Sequence, residues 1–151
     1  MCSLEINEDL VEGLASGKAP WIKGWPEKWL QWISRLEKKA DGSWAALIEG
    51  ESHKGSLEWK IFIGDASGAK LDAYQFDYIW QDAFSPKKNS ELWSAEWFSK
   101  LGDHSKDSVV LVTYSVARMV KDGLSDGGWN YEKCKGSGAK KQWMRATKQR
   151  T

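Results

Sequence analysis

The sequence predicts an α/β fold in which a parallel sheet carries helices on both faces. Three observations carry that prediction. Strand candidates alternate with helix candidates along the chain, the order that produces parallel sheets with helical crossovers. Apolar runs without polar alternation, such as Val109 to Tyr114, suit strands covered on both sides. Three strand candidates end at a polar or acidic residue, at Glu5, Asp65 and Asp82. In such sheets ligands bind outside the carboxyl ends of the strands.

Taken in order, Cys2 to Ile6 reads as a short strand, followed by Asn7 as a helix N-cap with Glu8 and Asp9 in the first turn, where the helix dipole favours acids. Leu10, Val11 and Leu14 supply an apolar face, and Gly17 stops this helix. Pro26 suits the first turn of a second helix. Trp29, Leu30, Ile33 and Leu36 follow its spacing, with Lys38 and Lys39 expected at its end. Residues 43–49 and 57–63 read as strands, the second placing Leu57, Trp59, Ile61 and Ile63 on one side. The run Phe76 to Trp80 predicts a further strand closing at Gln81-Asp82. A helix capped by Ser94 follows, with Trp93, Trp97 and Leu101 on one stripe. Beyond the strand at Val109 to Tyr114, a helix runs through Ala117, Val120 and Leu124 to Gly127-Gly128. Two last strands, Trp129 to Cys134 and Gln142 to Ala146, flank a polar loop.

Composition narrows the class. The 151 residues are enough for one compact domain, and 41% hydrophobic with 28% charged is an ordinary globular balance. No apolar run approaches the length needed to span a bilayer. No basic region followed by an apolar stretch opens the chain, and Cys2 and Cys134 make neither a disulfide framework nor a zinc site by spacing. The expected compartment is the reducing cytoplasm. Net charge is only +1, but it is unevenly spread. Residues 1–16 hold four acids and no base, whereas residues 133–151 hold seven Lys or Arg and no acid, a tail suited to a polyanion. Eleven tryptophans serve core packing first, with Trp21 and Trp25 expected to be exposed.

The segment Asp82-Ala83-Phe84-Ser85-Pro86-Lys87-Lys88-Asn89-Ser90-Glu91-Leu92-Trp93 is the most specific signal. It resembles the Asp-x-Phe-x-Pro-x-x-Asn-x-x-x-Trp motif of the MnmC-type methyltransferase domain, called MnmD when it stands alone. Gly64-Asp65-Ala66, Val112-Thr113-Tyr114-Ser115, Gly127-Gly128-Trp129 and Gly136-Ser137-Gly138-Ala139-Lys140-Lys141 continue the likeness in register over nearly the whole chain. Ser90 stands where the family usually has proline, and Lys141 where it has arginine. The resemblance implies a class I, Rossmann-like methyltransferase domain covering residues 1–151. The family places a first strand and a glycine-rich turn ahead of the acid matched by Glu5. Only four residues precede Glu5, so the expected fold is that sheet without its first strand and loop.

The resemblance also implies an activity: methyl transfer from S-adenosyl-L-methionine to the amine of 5-aminomethyl-2-thiouridine at the tRNA wobble position. A separate flavin-dependent enzyme would act upstream, and neither a membrane nor a metal is implied. By the same likeness Asp82 contacts the reacting amine, while Glu5 binds the cofactor ribose and Asp65 with Ala66 lies near the adenine. Phe84, Pro86, Lys88 and Asn89 shape the target pocket, and Lys140 and Lys141 hold tRNA phosphates. Each residue also has a plainer reading: a strand-end turn former for Asp65 and Asp82, a terminal acid for Glu5, a structural cap for Asn89, a solvated base for the lysines. A second class of function, a non-catalytic RNA- or protein-binding remnant of such a domain, stands beside the enzyme. A Trp-rich carbohydrate-binding module is disfavoured by the α/β patterning.

Overall fold

The computed structural model describes residues 1–49, 55–136 and 142–149. The chain divides into two compact units, Met1–Ala69 and Lys70–Thr151.

The first unit holds strand β1 (Cys2–Glu5), helix α1 (Glu8–Ala15), helix α2 (Glu27–Ile33), and strands β2 (Glu37–Lys38), β3 (Trp44–Glu49) and β4 (Ser56–Ile63). They form a sheet in the order β1-β4-β3-β2. β1 and β4 are parallel, and the other pairs are antiparallel. Asn7 caps α1 as its sequence predicts, accepting a hydrogen bond from the Asp9 N–H at 3.0 Å. Gly17 follows the helix with φ of 70°, a conformation that favours glycine. Val11, Ile22, Ile33 and Leu36 pack with Ala46 and Ile61 into this unit's core.

One expectation is corrected here. Helix α2 stops at Ile33, and Lys38 does not extend it but pairs with Trp44 across a short antiparallel ladder. Ser34 ends the helix by turning its hydroxyl back to the Gln31 carbonyl at 3.0 Å. The Lys39 N–H then bonds the Ser43 carbonyl at 2.7 Å, closing a turn that contains Gly42 at φ of 80°. The Lys38 ammonium meets the Glu8 carboxylate of α1 at 2.8 Å, which favours the extended course over a longer helix.

The second unit holds β5 (Phe76–Gln81), α3 (Ala95–Asp103), β6 (Ser105–Thr113), α4 (Arg118–Asp126), β7 (Trp129–Lys135) and β8 (Gln142–Lys148). Its sheet runs β5-β6-β8-β7, with β5 parallel to β6 and the remaining pairs antiparallel. Each sheet is therefore mixed rather than wholly parallel. Ser94 caps α3 through its hydroxyl, which accepts from the Trp97 N–H at 3.2 Å. Trp93, Phe98, Val109, Leu111, Leu124 and Met144 are fully buried in this core. Gly123 of α4 lies so close to the Trp93 carbonyl and the Phe98 ring that no side chain fits there. On the other side of β5, Tyr78 and Trp80 are 57% and 71% exposed. β1 and β5 each stand at an edge of their own sheet.

Candidate functional site

Strand β5 delivers the motif at its carboxyl end, and the backbone there is pinned on three sides. Gln81, buried at the last position of the strand, donates from Nε2 to the Leu92 carbonyl at 2.7 Å and accepts from Trp97 Nε1 at 3.3 Å. Tyr114, just past β6, donates its hydroxyl to the Ala83 carbonyl at 2.9 Å. Trp93 Nε1 donates to the Phe84 carbonyl at 2.8 Å. The Trp93 and Tyr114 rings meet edge to face, 6.1 Å between centroids. A segment of irregular backbone is thus held in one conformation by side chains from α3, β6 and the 3-10 turn Ser90–Trp93.

What that scaffold leaves outside is chemically specific. Asp82 is exposed, and its carboxylate has no hydrogen-bond or ion-pair partner among the described residues. The Phe84 ring is 71% exposed although its backbone is anchored. Pro86 is half-buried and Lys88 exposed in the following turn, where the Lys88 N–H bonds the Ser85 carbonyl at 2.7 Å. Asn89 precedes the 3-10 turn and spends its amide on Glu91 Oε1 at 3.2 Å, a local structural bond. Lys140 and Lys141 lie outside the described residues. Gln81 and Tyr114 were not singled out by sequence as site residues. The usable signal was a polar side chain closing each of two apolar runs.

In the first unit, Glu5 and Asp65 stand at the carboxyl ends of adjacent parallel strands. Glu5 pairs in register with Ile63, and the Gly64 N–H donates to the Glu5 carbonyl at 2.8 Å. Glu5 Oε1 accepts from the Asn7 N–H at 2.9 Å; Oε2 has no partner among the described residues. Asp65 Oδ1 accepts from both the hydroxyl and the N–H of Ser67, each at 2.8 Å. These two bonds, the hydroxyl's first, hold the Asp65 carboxyl below its ordinary range. Ala66, half-buried, opens the 3-10 turn that follows. Beside Glu5 a cleft of about 390 Å³ is lined by Leu10, Val11, Leu14, Trp21 and Trp59. Trp21 is 49% exposed, as its sequence context predicts, whereas Trp25 is half-buried and packs edge to face on Trp29.

Two carboxylates at neighbouring strand ends, each with one oxygen uncommitted among the described residues, match the acceptor chemistry that nucleoside hydroxyls and amines require. Among the described residues no group of three or more His, Cys, Asp or Glu is placed to hold a metal ion, and no helix is long and apolar enough to cross a membrane.

A family model described as S-adenosyl-L-methionine-dependent methyltransferase matches residues 27–149. The chain belongs to that family; its fold is the Rossmann-like methyltransferase fold, and its cofactor is S-adenosyl-L-methionine. Within it, the chain is an MnmC-type domain, as its relatives indicate. It is 34% identical over 149 residues to the tRNA 5-methylaminomethyl-2-thiouridine biosynthesis bifunctional protein MnmC of Azoarcus sp. (strain BH72), covering 95% of this chain and 22% of that one. The protein of the same name from Leptospira interrogans serogroup Icterohaemorrhagiae serovar copenhageni (strain Fiocruz L1-130) is 34% identical over 117 residues, or 74% of this chain and 18% of that one. The crystal structure of MNMC2 from Aquifex aeolicus superimposes with a TM-score of 0.54 at 25% identity, covering 66% of this chain and 32% of that one. The chain spans about a fifth of the length of these bifunctional relatives.

Proposed function

We propose that this domain transfers a methyl group from S-adenosyl-L-methionine to the primary amine of 5-aminomethyl-2-thiouridine at the wobble position of tRNA. The single observation that carries the reading is Asp82: a carboxylate without a partner among the described residues, on backbone held by hydrogen bonds at the carboxyl end of β5, two residues before the exposed Phe84 ring. Bound S-adenosyl-L-methionine supplies an electrophilic methyl group. The domain's own work is to present the amine as a neutral nucleophile, because an alkylamine is largely protonated at neutral pH. Asp82 accepts a proton from that amine and orients the lone pair. Phe84 and Pro86 form an apolar wall against the base, and Lys88 and Asn89 line the turn beside it. Glu5 takes the ribose hydroxyls, Asp65 and Ala66 border the adenine, and Lys140 with Lys141 contacts tRNA phosphates. The substrate amine is the product of a flavin-dependent activity that acts upstream. Relatives bearing the name of this tRNA modification support the reading, and a cytoplasmic site of action accords with it.

The test is methyl transfer from labelled S-adenosyl-L-methionine to tRNA carrying the aminomethyl base, read by nucleoside mass spectrometry. Asp82→Asn is expected to lose a factor of about 100 to 10,000 in turnover while calorimetric cofactor binding persists. Unchanged turnover in that variant removes Asp82 from the chemistry. A folded wild-type chain that binds no cofactor overturns the enzyme reading and leaves a non-catalytic binding remnant.

A further inference from the structure

Between α1 and β2 the sequence changes character. Residues 18–35 carry four tryptophans (Trp21, Trp25, Trp29 and Trp32) and four bases against the single acid Glu27. Trp21 lines the cleft beside Glu5. Trp25 and Leu30 pack against the core of the first unit, and Ile33 belongs to it. At about 100° per residue, Trp29 comes next round α2 from Ile33, followed by Trp32 and then Lys28. Trp29 is accordingly 50% exposed, and Trp32 is half-buried.

The Trp25 and Trp29 rings meet at 6.0 Å between centroids and 85° between planes. An edge-to-face contact occupies at most one face of the Trp29 indole, so at least one face is turned away from Trp25. The Lys28 ammonium lies 5.2 Å from the centre of the Trp32 ring, which places a positive charge on the same flank of the helix. Lys23 is exposed in the turn that leads into α2, closed by the Trp25 N–H on the Ile22 carbonyl at 3.0 Å, with Gly24 at φ of 87°. An accessible indole with cations close to it in the chain has the chemistry of unpaired bases joined by phosphates. A lipid surface fits less well. A helix in a membrane interface inserts its apolar face, and here Leu30 and Ile33 are committed to the core.

We propose that the outer flank of α2 is a stacking surface for the substrate RNA, with an unpaired base lying on Trp29 and the adjoining phosphates held by Lys23 and Lys28. The surface rests on the tRNA reading above and names a contact that reading does not contain. It belongs to the first unit, whereas Asp82 belongs to the second. Every base has a π face and every nucleotide a phosphate, so the contact positions single-stranded RNA without reading its sequence.

The experiment measures affinity for a tRNA transcript against salt concentration in the wild-type chain, Trp29→Ala, Trp29→Phe and Lys23→Gln/Lys28→Gln, with a fully paired RNA duplex as a second probe. Trp29→Ala is expected to weaken tRNA binding about 5- to 150-fold, with the slope of log K on log salt unchanged. Trp29→Phe keeps a ring and is expected to recover most of that loss. The Gln pair is expected to flatten the slope by about 1 to 2. On the duplex, whose bases are paired, Trp29→Ala is expected to match wild type. The ring is half-exposed, so urea midpoints of the Trp29 variants should stay near that of wild type. Equal tRNA affinity in wild type and Trp29→Ala, an equal loss in Trp29→Phe and Trp29→Ala, or the same loss on the duplex overturns the proposal. Binding to phosphatidylglycerol vesicles that depends on Trp29, with tRNA affinity independent of it, assigns the flank to a membrane surface and also overturns it. If Trp29→Ala weakens tRNA binding while wild type methylates no aminomethyl tRNA, the stacking surface stands and the enzymatic reading fails. If wild type methylates that tRNA and Trp29→Ala binds it equally well, the enzymatic reading stands and the stacking surface fails.

Discussion

Trp93 Nε1 and the Phe84 carbonyl oxygen lie 2.8 Å apart, and through that bond a fully buried indole holds the backbone under an exposed ring. The buried partner belongs to the core and the exposed one to the site, so the core and the site share one constraint. Trp93→Phe preserves most of the packing but strands the carbonyl. It is expected to cost about 1–3 kcal/mol in urea unfolding, with a larger fractional loss of methyl transfer than of cofactor binding.

Phe84→Ala separates the same pair from the other side. The ring is 71% exposed, so the substitution leaves the urea midpoint nearly unchanged. If the ring stacks on the target base, RNA affinity falls by about 1–3 kcal/mol. An unchanged KM for tRNA removes Phe84 from the pocket.

Gly123→Ala is expected to destabilise despite alanine's better helix propensity. A Cβ there overlaps the Trp93 carbonyl and touches the Phe98 ring at 3.3 Å. Overpacking costs of about 1–3 kcal/mol exceed the helical gain of about 1 kcal/mol. A rise in Tm would show that α4 can move away from the turn at Ser90–Trp93.

The first unit is expected to lose stability in acid through Asp41. The Ser43 hydroxyl at 2.6 Å, the Lys60 ammonium at 2.9 Å and the Ser43 N–H at 3.0 Å hold its carboxyl well below the usual range. A depressed folded-state value stabilises the charged form. The contribution is complete above the ordinary aspartate value of about 4 and fades as pH falls below it. The stability difference between wild type and Asp41→Asn should stay constant from neutral pH down to that range and then shrink. A difference that instead grows on acidification would show that Asp41 is not the group responsible.

Local chemistry made much of this fold legible. Asn7 and Ser94 are short polar caps before apolar stripes, and both cap as read. Lys38 was misread because a helix-end lysine and a lysine reaching across to Glu8 look alike in sequence; the deciding partner is 30 residues away. The mixed sheets escaped because antiparallel return strands, as at β3 and β4, depend on tertiary pairing. At the site, Asp82 and Phe84 stood out through a dense motif. Gln81 and Tyr114 did not, because their importance lies in carbonyls and an indole brought to them by folding.

The exposed flank of β5 has a consequence for the protein's fate under stress. Phe76-Asp77-Tyr78-Ile79-Trp80-Gln81 is short, rich in aromatic and β-branched residues, carries one charge and no proline, and stands at a sheet edge. Such hexamers are the material of steric zippers. The single charge, Asp77, is engaged by Lys106 at 2.8 Å, so high salt screens the one gatekeeper the strand has. The strand that ends at Asp82 is thereby also the one from which cross-β assembly of heated or concentrated material would be seeded.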